Sequence, residues 1–121
     1  MQQNTERPPR RIYKVLGREP WNSACIEGVF EGAAIDLQDG FIHFSSREQV
    51  EETVRIHFVG QQNLVLVAFS EESFGDELRW EASRGGDLFP HLYAKLDPSL
   101  AIDVWELPSN SDGSHRFPDD Y

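Results

Sequence analysis

Three polar clusters stand beside apolar runs and hold most of the side chains able to do chemistry: Asp39-Gly40-Phe41-Ile42-His43-Phe44-Ser45-Ser46, Arg79-Trp80-Glu81-Ala82-Ser83-Arg84-Gly85-Gly86 and Leu88-Phe89-Pro90-His91-Leu92-Tyr93. In an extended strand, the period of two puts Phe41, His43 and Ser45 on one face. They precede a predicted helix start, where unpaired N–H groups and the helix dipole favour a phosphate or carboxylate. Glu81 can accept a hydrogen bond from a ribose hydroxyl or serve as a base, and Trp80 beside it points to the opposite strand face. Arg84 can grip a phosphate with two parallel hydrogen bonds, and Gly85-Gly86 lets the backbone approach a ligand closely. His91 and Tyr93 alternate onto one face after Pro90.

Each group also has an ordinary structural use. Ser45 or Ser46 can cap the helix, Glu81 can be a solvated strand carboxylate, and Arg84-Gly85-Gly86 can be a plain turn. His43, His91 and Tyr93 can be half-packed strand rings, while His57 lies near an apolar helix stripe and His115 in a polar tail. Weighed together, the candidate catalytic residues are His43, Glu81 and His91, and the candidate ligand-binding residues are Ser45, Ser46, Trp80, Arg84, Gly85, Gly86 and Tyr93. The ligand these side chains suit is small, anionic and nucleotide-like. Two His-apolar-hydroxyl units, His43-Phe44-Ser45 and His91-Leu92-Tyr93, keep open a two-histidine phosphodiester hydrolase, with one imidazole as base and the other as acid. A non-catalytic ligand- or partner-binding module stays open too. The histidine spacing contains no zinc motif, and no metal ligands are assigned.

The elements that must position these groups read as follows. Arg11 to Leu16 is β-branched and aromatic and ends at Gly17, which predicts a strand. Pro20 to Glu27 predicts a short amphipathic helix stopped by Gly28. After the Asp39-Gly40 turn, Phe41 to Ser45 predicts a strand. The Ser45/Glu48 or Ser46/Gln49 capping spacing and the recurrence of Val50, Val54 and Phe58 predict a helix over Arg47 to Val59. Leu64 to Phe69 is apolar throughout, as in a central strand covered on both faces. Leu78 to Glu81, Leu92 to Leu96 and Ala101 to Leu107 complete the predicted strands. The class is α+β: one small domain over residues 11–108 with a mixed, mostly antiparallel sheet and two helices, between a flexible amino-terminal tail (1–10) and a flexible acidic carboxy-terminal tail (109–121).

Composition limits the partners. The 121 residues carry 11 basic and 21 acidic side chains, a net charge of -10, which argues against general nucleic-acid or anionic-membrane binding because those partners are held by neutralising phosphates. Much of the acid lies on Glu48, Glu51 and Glu52, on Glu71-Glu72 and in the carboxy-terminal tail, so a small anion remains compatible with the candidate site. One cysteine, Cys25, precludes an internal disulfide and fits a reducing, cytoplasmic setting. No apolar run reaches the roughly 20 residues of a membrane span, and residues 1–11 hold no apolar signal core.

Read together, Ile12-Tyr13-Lys14-Val15, Asp36-Leu37, Gly40 to Ser45, Gln49, the Leu64 to Ala68 strand, Leu78-Arg79-Trp80-Glu81, Arg84-Gly85-Gly86 and Phe89 to Tyr93 resemble the bacterial domain of unknown function 952 family, in order over residues 11–107. That family is distantly grouped with the ADP-ribosyltransferase superfold. The resemblance implies two small split sheets flanking a cleft, NAD as a substrate, and ADP-ribosyl-transfer or NAD-glycohydrolase chemistry. It implies ligand binding by Lys14 on the first strand, where the superfold has His or Arg, and it gives Phe44-Ser45 and Glu81 analogous places.

Overall fold

The computed structural model describes residues 10–121, so the expected amino-terminal tail lies outside the described residues except for Arg10. The elements run β1 (Arg11–Gly17), α1 (Arg18–Glu27), α2 (Ala34–Asp39), β2 (Ile42–His43), β3 (Ser45–Ser46), α3 (Val50–His57), β4 (Leu64–Ser70), β5 (Leu78–Ala82), β6 (Leu88–Leu92) and β7 (Asp103–Leu107). They form an α+β domain with two antiparallel sheets, one ordered β3-β1-β4-β7 and the other β2-β6-β5. Among the described residues three α-helices stand where two were expected. The addition, α2, is six residues long, too short for a helical apolar stripe to register in the sequence.

β4 is the hub because both its faces are apolar. Val65, Val67 and Phe69 join Ile12 and Leu16 of β1, Trp21 and Ala24 of α1, and Ile42 and Leu92 of the small sheet in one core. Leu64, Leu66 and Ala68 join Tyr13, Val15, Leu107 and the α3 residues Val50 and Val54 in a second. Each sheet residue thus has a fixed side: the first core lies between the two sheets, the second between the large sheet and α3.

The segment expected as one strand from Phe41 to Ser45 serves both sheets. Ile42 and His43 pair with Leu92 and His91 of β6, whereas Ser45 and Ser46 pair with Tyr13 and Ile12 of β1. Phe44, buried in the first core, is the corner, and its N–H donates to Pro90 O at 3.0 Å. The N and O of one strand residue point to the same side, so the donor that Pro90 lacks is the one that would return a bond to Phe44, at the end of β2, and Pro90 turns no ladder group toward β5.

The strand expected over Leu92 to Leu96 is displaced to Leu88–Leu92. Beyond Leu92 the backbone leaves the ladder: Tyr93 N–H donates to Glu77 O, and Leu96 forms an isolated bridge with Phe30. Residues 109–121, read from composition as a tail, lie along α3. Phe117 and Tyr121 pack against the second core, Gly60 N–H donates to Gly113 O at 2.9 Å, and the Arg47 guanidinium lies 3.6 Å from the Tyr121 ring centroid. Among the described residues no helix is long and apolar enough to cross a membrane.

Candidate functional site

The small sheet brings the chemistry to its outer face. Register sets His43 opposite His91, and His91 opposite Arg79, so the three strands carry a transverse row of two imidazoles and a guanidinium. The period of two adds Phe41, Glu81 and Tyr93 to the same face, while Ile42, Leu78, Trp80 and Leu92 turn toward the core between the sheets.

His91 is 4% exposed. Phe41 stacks on it, with centroids 4.0 Å apart and planes 24° apart, and the His43 ring stands edge-on at 5.6 Å. His91 Nδ1 lies 2.8 Å from Glu81 Oε1, and the same oxygen accepts the Tyr93 hydroxyl at 2.7 Å. These two bonds, His91's first, hold the Glu81 carboxyl below its ordinary range, and Glu81 in turn pushes the Tyr93 phenol up. The Arg79 guanidinium lies 4.9 Å from the Tyr93 ring centroid.

His43 is held from the other side by α2. Its Nδ1 is 2.6 Å from Asp36 Oδ1 and its Nε2 is 3.0 Å from Asp39 Oδ2. Asp36 is 2% exposed and receives further bonds from the backbone N–H groups of Ala33 (2.8 Å) and His43 (3.1 Å) and from Lys14 Nζ (3.1 Å). Burial alone raises the Asp36 pKa, but the His43 bond, the Lys14 charge and the two backbone bonds outweigh it and lower it to about 2. For Lys14 the balance is reversed: burial pulls its ammonium down more than Asp36 restores.

The remaining predicted residues occupy other places. Lys14 lies in the core between the sheets, 7% exposed, and donates to Asp36 and to His43 O (2.9 Å), so it supports the site from behind. Ser45 and Ser46 are buried in β3: the Ser45 hydroxyl pairs with Thr53 of α3, and Ser46 N–H donates to Gln49 Oε1 at 2.9 Å. The corner at Phe44 therefore separates Ser45 from His43, and the two do not share a face as expected. Trp80 packs on the core, donates its indole N–H to Glu71 Oε2 at 3.2 Å and carries the Arg10 guanidinium 4.0 Å from its ring centroid. Arg84, Gly85 and Gly86 form the turn between β5 and β6, and both glycines take positive φ, +70° and +85°.

Asp36, Asp39 and Arg79 were missed as site residues. The four-residue step from Asp39 to His43 and the two-residue step from Arg79 to Glu81 are visible in the chain, whereas nothing local connects Asp36 to Lys14. Among the described residues no group of three or more His, Cys, Asp or Glu side chains is placed to hold a metal ion.

Fold and site together define a small two-sheet α+β domain whose outer sheet face carries two carboxylate-held histidines. Residues 15–104 match the model of a family described as proteins of unknown function, DUF952, and the chain belongs to that family. It is similar to the crystal structure of protein CC0527 from Caulobacter crescentus, with 49% identity, a TM-score of 0.84 and coverage of 88% of this chain and 93% of that one. The solution NMR structure of the same protein gives 50% identity, a TM-score of 0.77 and coverage of 85% and 89%. Among curated proteins none matches the chain.

Proposed function

We propose that the outer face of the small sheet binds a small anionic, nucleotide-like molecule of the NAD or ADP-ribose type and acts on it by ADP-ribosyl transfer or NAD glycohydrolysis. The observation that carries this reading is the pair His43 and His91, each with Nδ1 held by a carboxylate and their rings 5.6 Å apart, beside Glu81 and Arg79. In this chemistry the C1′–N bond of the nicotinamide ribose breaks and its electron pair leaves with nicotinamide. Positive charge collects on C1′ and the ring oxygen, and water or another nucleophile then adds at C1′ and gives up a proton.

The residues fit those needs. Glu81 supplies negative charge to the developing cation and His43 and His91 address the ribose hydroxyls. Phe41 and Tyr93 offer aromatic faces for a ring, and one of the imidazoles takes the nucleophile's proton. Arg79 lies in the row itself. Arg84 follows Glu81 by three positions, at most about 10 Å of extended chain, which suits a pyrophosphate one sugar away. The net charge of -10 supports a small ligand over a nucleic acid, and the unpaired Cys25 supports a cytoplasmic location.

Calorimetric titration with NAD and with ADP-ribose, plus chromatography for released nicotinamide, tests the proposal. Saturable binding to at least one is expected, and saturable binding to neither overturns it. The direct cross-strand pairing of His43 with His91 favours a second reading, acid–base hydrolysis of a phosphodiester. Turnover of a cyclic nucleotide phosphodiester that disappears in both His43→Ala and His91→Ala would put that reading first. Binding without turnover of either substrate class leaves a ligand-binding module.

A further inference from the structure

The two histidines are not held alike. Glu81 reaches His91 from an adjacent strand and stands 36% exposed, whereas Asp36 reaches His43 from α2 and is closed off from solvent. Asp36 also binds its own helix: as the third residue of α2 it accepts the Ala33 N–H at the helix start. It binds both the backbone N–H and the ring of His43, and its charge is balanced across the core by Lys14 on the facing sheet. Gly32 makes this close packing feasible, because a Cβ there would lie 2.9 Å from Asp36 Cβ.

From this geometry we infer that Asp36 is the positioning residue of the site, fixing the His43 ring with its Nδ1 proton toward the core and its Nε2 toward the ligand, and that Lys14 is the counter-ion that keeps Asp36 an acceptor. A carboxylate can only accept, so the nitrogen facing Asp36 must carry a proton. With both nitrogens facing carboxylates, only an imidazolium satisfies Asp36 and Asp39 at once. A neutral ring keeps one of these bonds, and it is the bond to Asp36. That oxygen is buried and has no water to replace the ring, whereas the Asp39 side chain is 37% exposed and can turn to solvent. Asp39 thus covers Nε2 of the charged ring and leaves it when the ring is neutral, which makes Nε2 the atom available to a substrate. The other charged or titratable neighbours on the face, His91, Glu81, Arg79 and Tyr93, come from β5, β6 and the residue after it, and none bonds either nitrogen of His43 among the described residues.

The inference rests on the reading of His43 as a functional residue, but its test uses no ligand. Long-range proton–nitrogen NMR on the full chain with the imidazole neutral identifies which ring nitrogen keeps the proton. The expected result is the Nδ1–H tautomer in the unaltered protein and in Asp39→Asn, and loss of that preference in Asp36→Leu, which has no acceptor. An Nε2–H tautomer in the unaltered protein overturns the inference, as does an unchanged tautomer in a folded Asp36→Leu. Should Asp36→Leu fail to fold, the unaltered protein and Asp39→Asn still decide. A held Nδ1–H tautomer with no NAD or ADP-ribose binding would overturn the proposed function and leave the positioning intact.

Discussion

His43 and His91 face each other across adjacent antiparallel strands, with ring centroids 5.6 Å apart, and each ring is held through Nδ1 by a carboxylate from a different element. The pairing register creates this proximity, and the carboxylates convert proximity into fixed orientation. If the face is a ligand site, replacing either ring with alanine should lower affinity for NAD or ADP-ribose by at least about tenfold, or roughly 1.4 kcal/mol. Calorimetry on both variants checks this, and unchanged affinity in both would remove the pair from the site.

The two arginines make a separate prediction. Arg79→Ala and Arg84→Ala should each weaken ligand binding about tenfold while moving the melting temperature little, because Arg79 is exposed and Arg84 belongs to a surface turn. The measurement is paired calorimetry and thermal melting. A large fall in melting temperature for Arg79→Ala would assign that side chain a structural role.

The buried ion pair has an expected energetic signature. Lys14→Met removes the ammonium from the buried Asp36 carboxylate and should cost about 3 kcal/mol, with part recovered in the double variant Lys14→Met/Asp36→Leu. Denaturant unfolding of the two single variants and the double variant gives the coupling. Simple additivity would mean that the pair does not act as a unit.

Acid should expose the same carboxylate. Asp36 has an ordinary value of 3.8 and a folded value of about 2, so the folded state binds its proton more weakly than the unfolded chain. Its contribution is therefore complete above about pH 4, falls as the pH drops toward 2, and amounts to about 2 kcal/mol. Unfolding curves between pH 5 and about 2 should show this loss in the unaltered protein and a shallower one in Asp36→Asn.

Glycine geometry separates strain from crowding. Gly28 and Gly32 both take positive φ, +83° and +129°, but only at Gly32 would a Cβ meet another residue, Asp36 at 2.9 Å. Gly28→Ala should cost about 1 kcal/mol from backbone strain alone, and Gly32→Ala should cost more and disturb His43 as well. Denaturant midpoints and the His43 NMR signals give the comparison, and equal effects would deny Gly32 its part in placing Asp36.

Much of the architecture was readable along the chain because it depends on local pattern. The unbroken apolar run Leu64 to Phe69 is what a strand covered on both faces requires, and β4 is that strand. Alternation placed Trp80 and Glu81 on opposite sides and His91 with Tyr93 on one, and the sheet keeps both relations. The sequence by itself therefore determined the class of fold and, along β5 and β6, which residues share a face. It could not tell that Phe41 to Ser45 feeds two sheets, since a strand's pairing partners are remote and the corner at Phe44 carries no turn residue. Nor could it join Asp36 to Lys14, 22 positions apart and on different elements, because a buried charge finds its partner only when two surfaces close on it. Tertiary structure alone decided that Lys14 and Ser45 are buried behind the outer face of the small sheet, that Asp36 holds His43 and that Arg79 stands opposite His91.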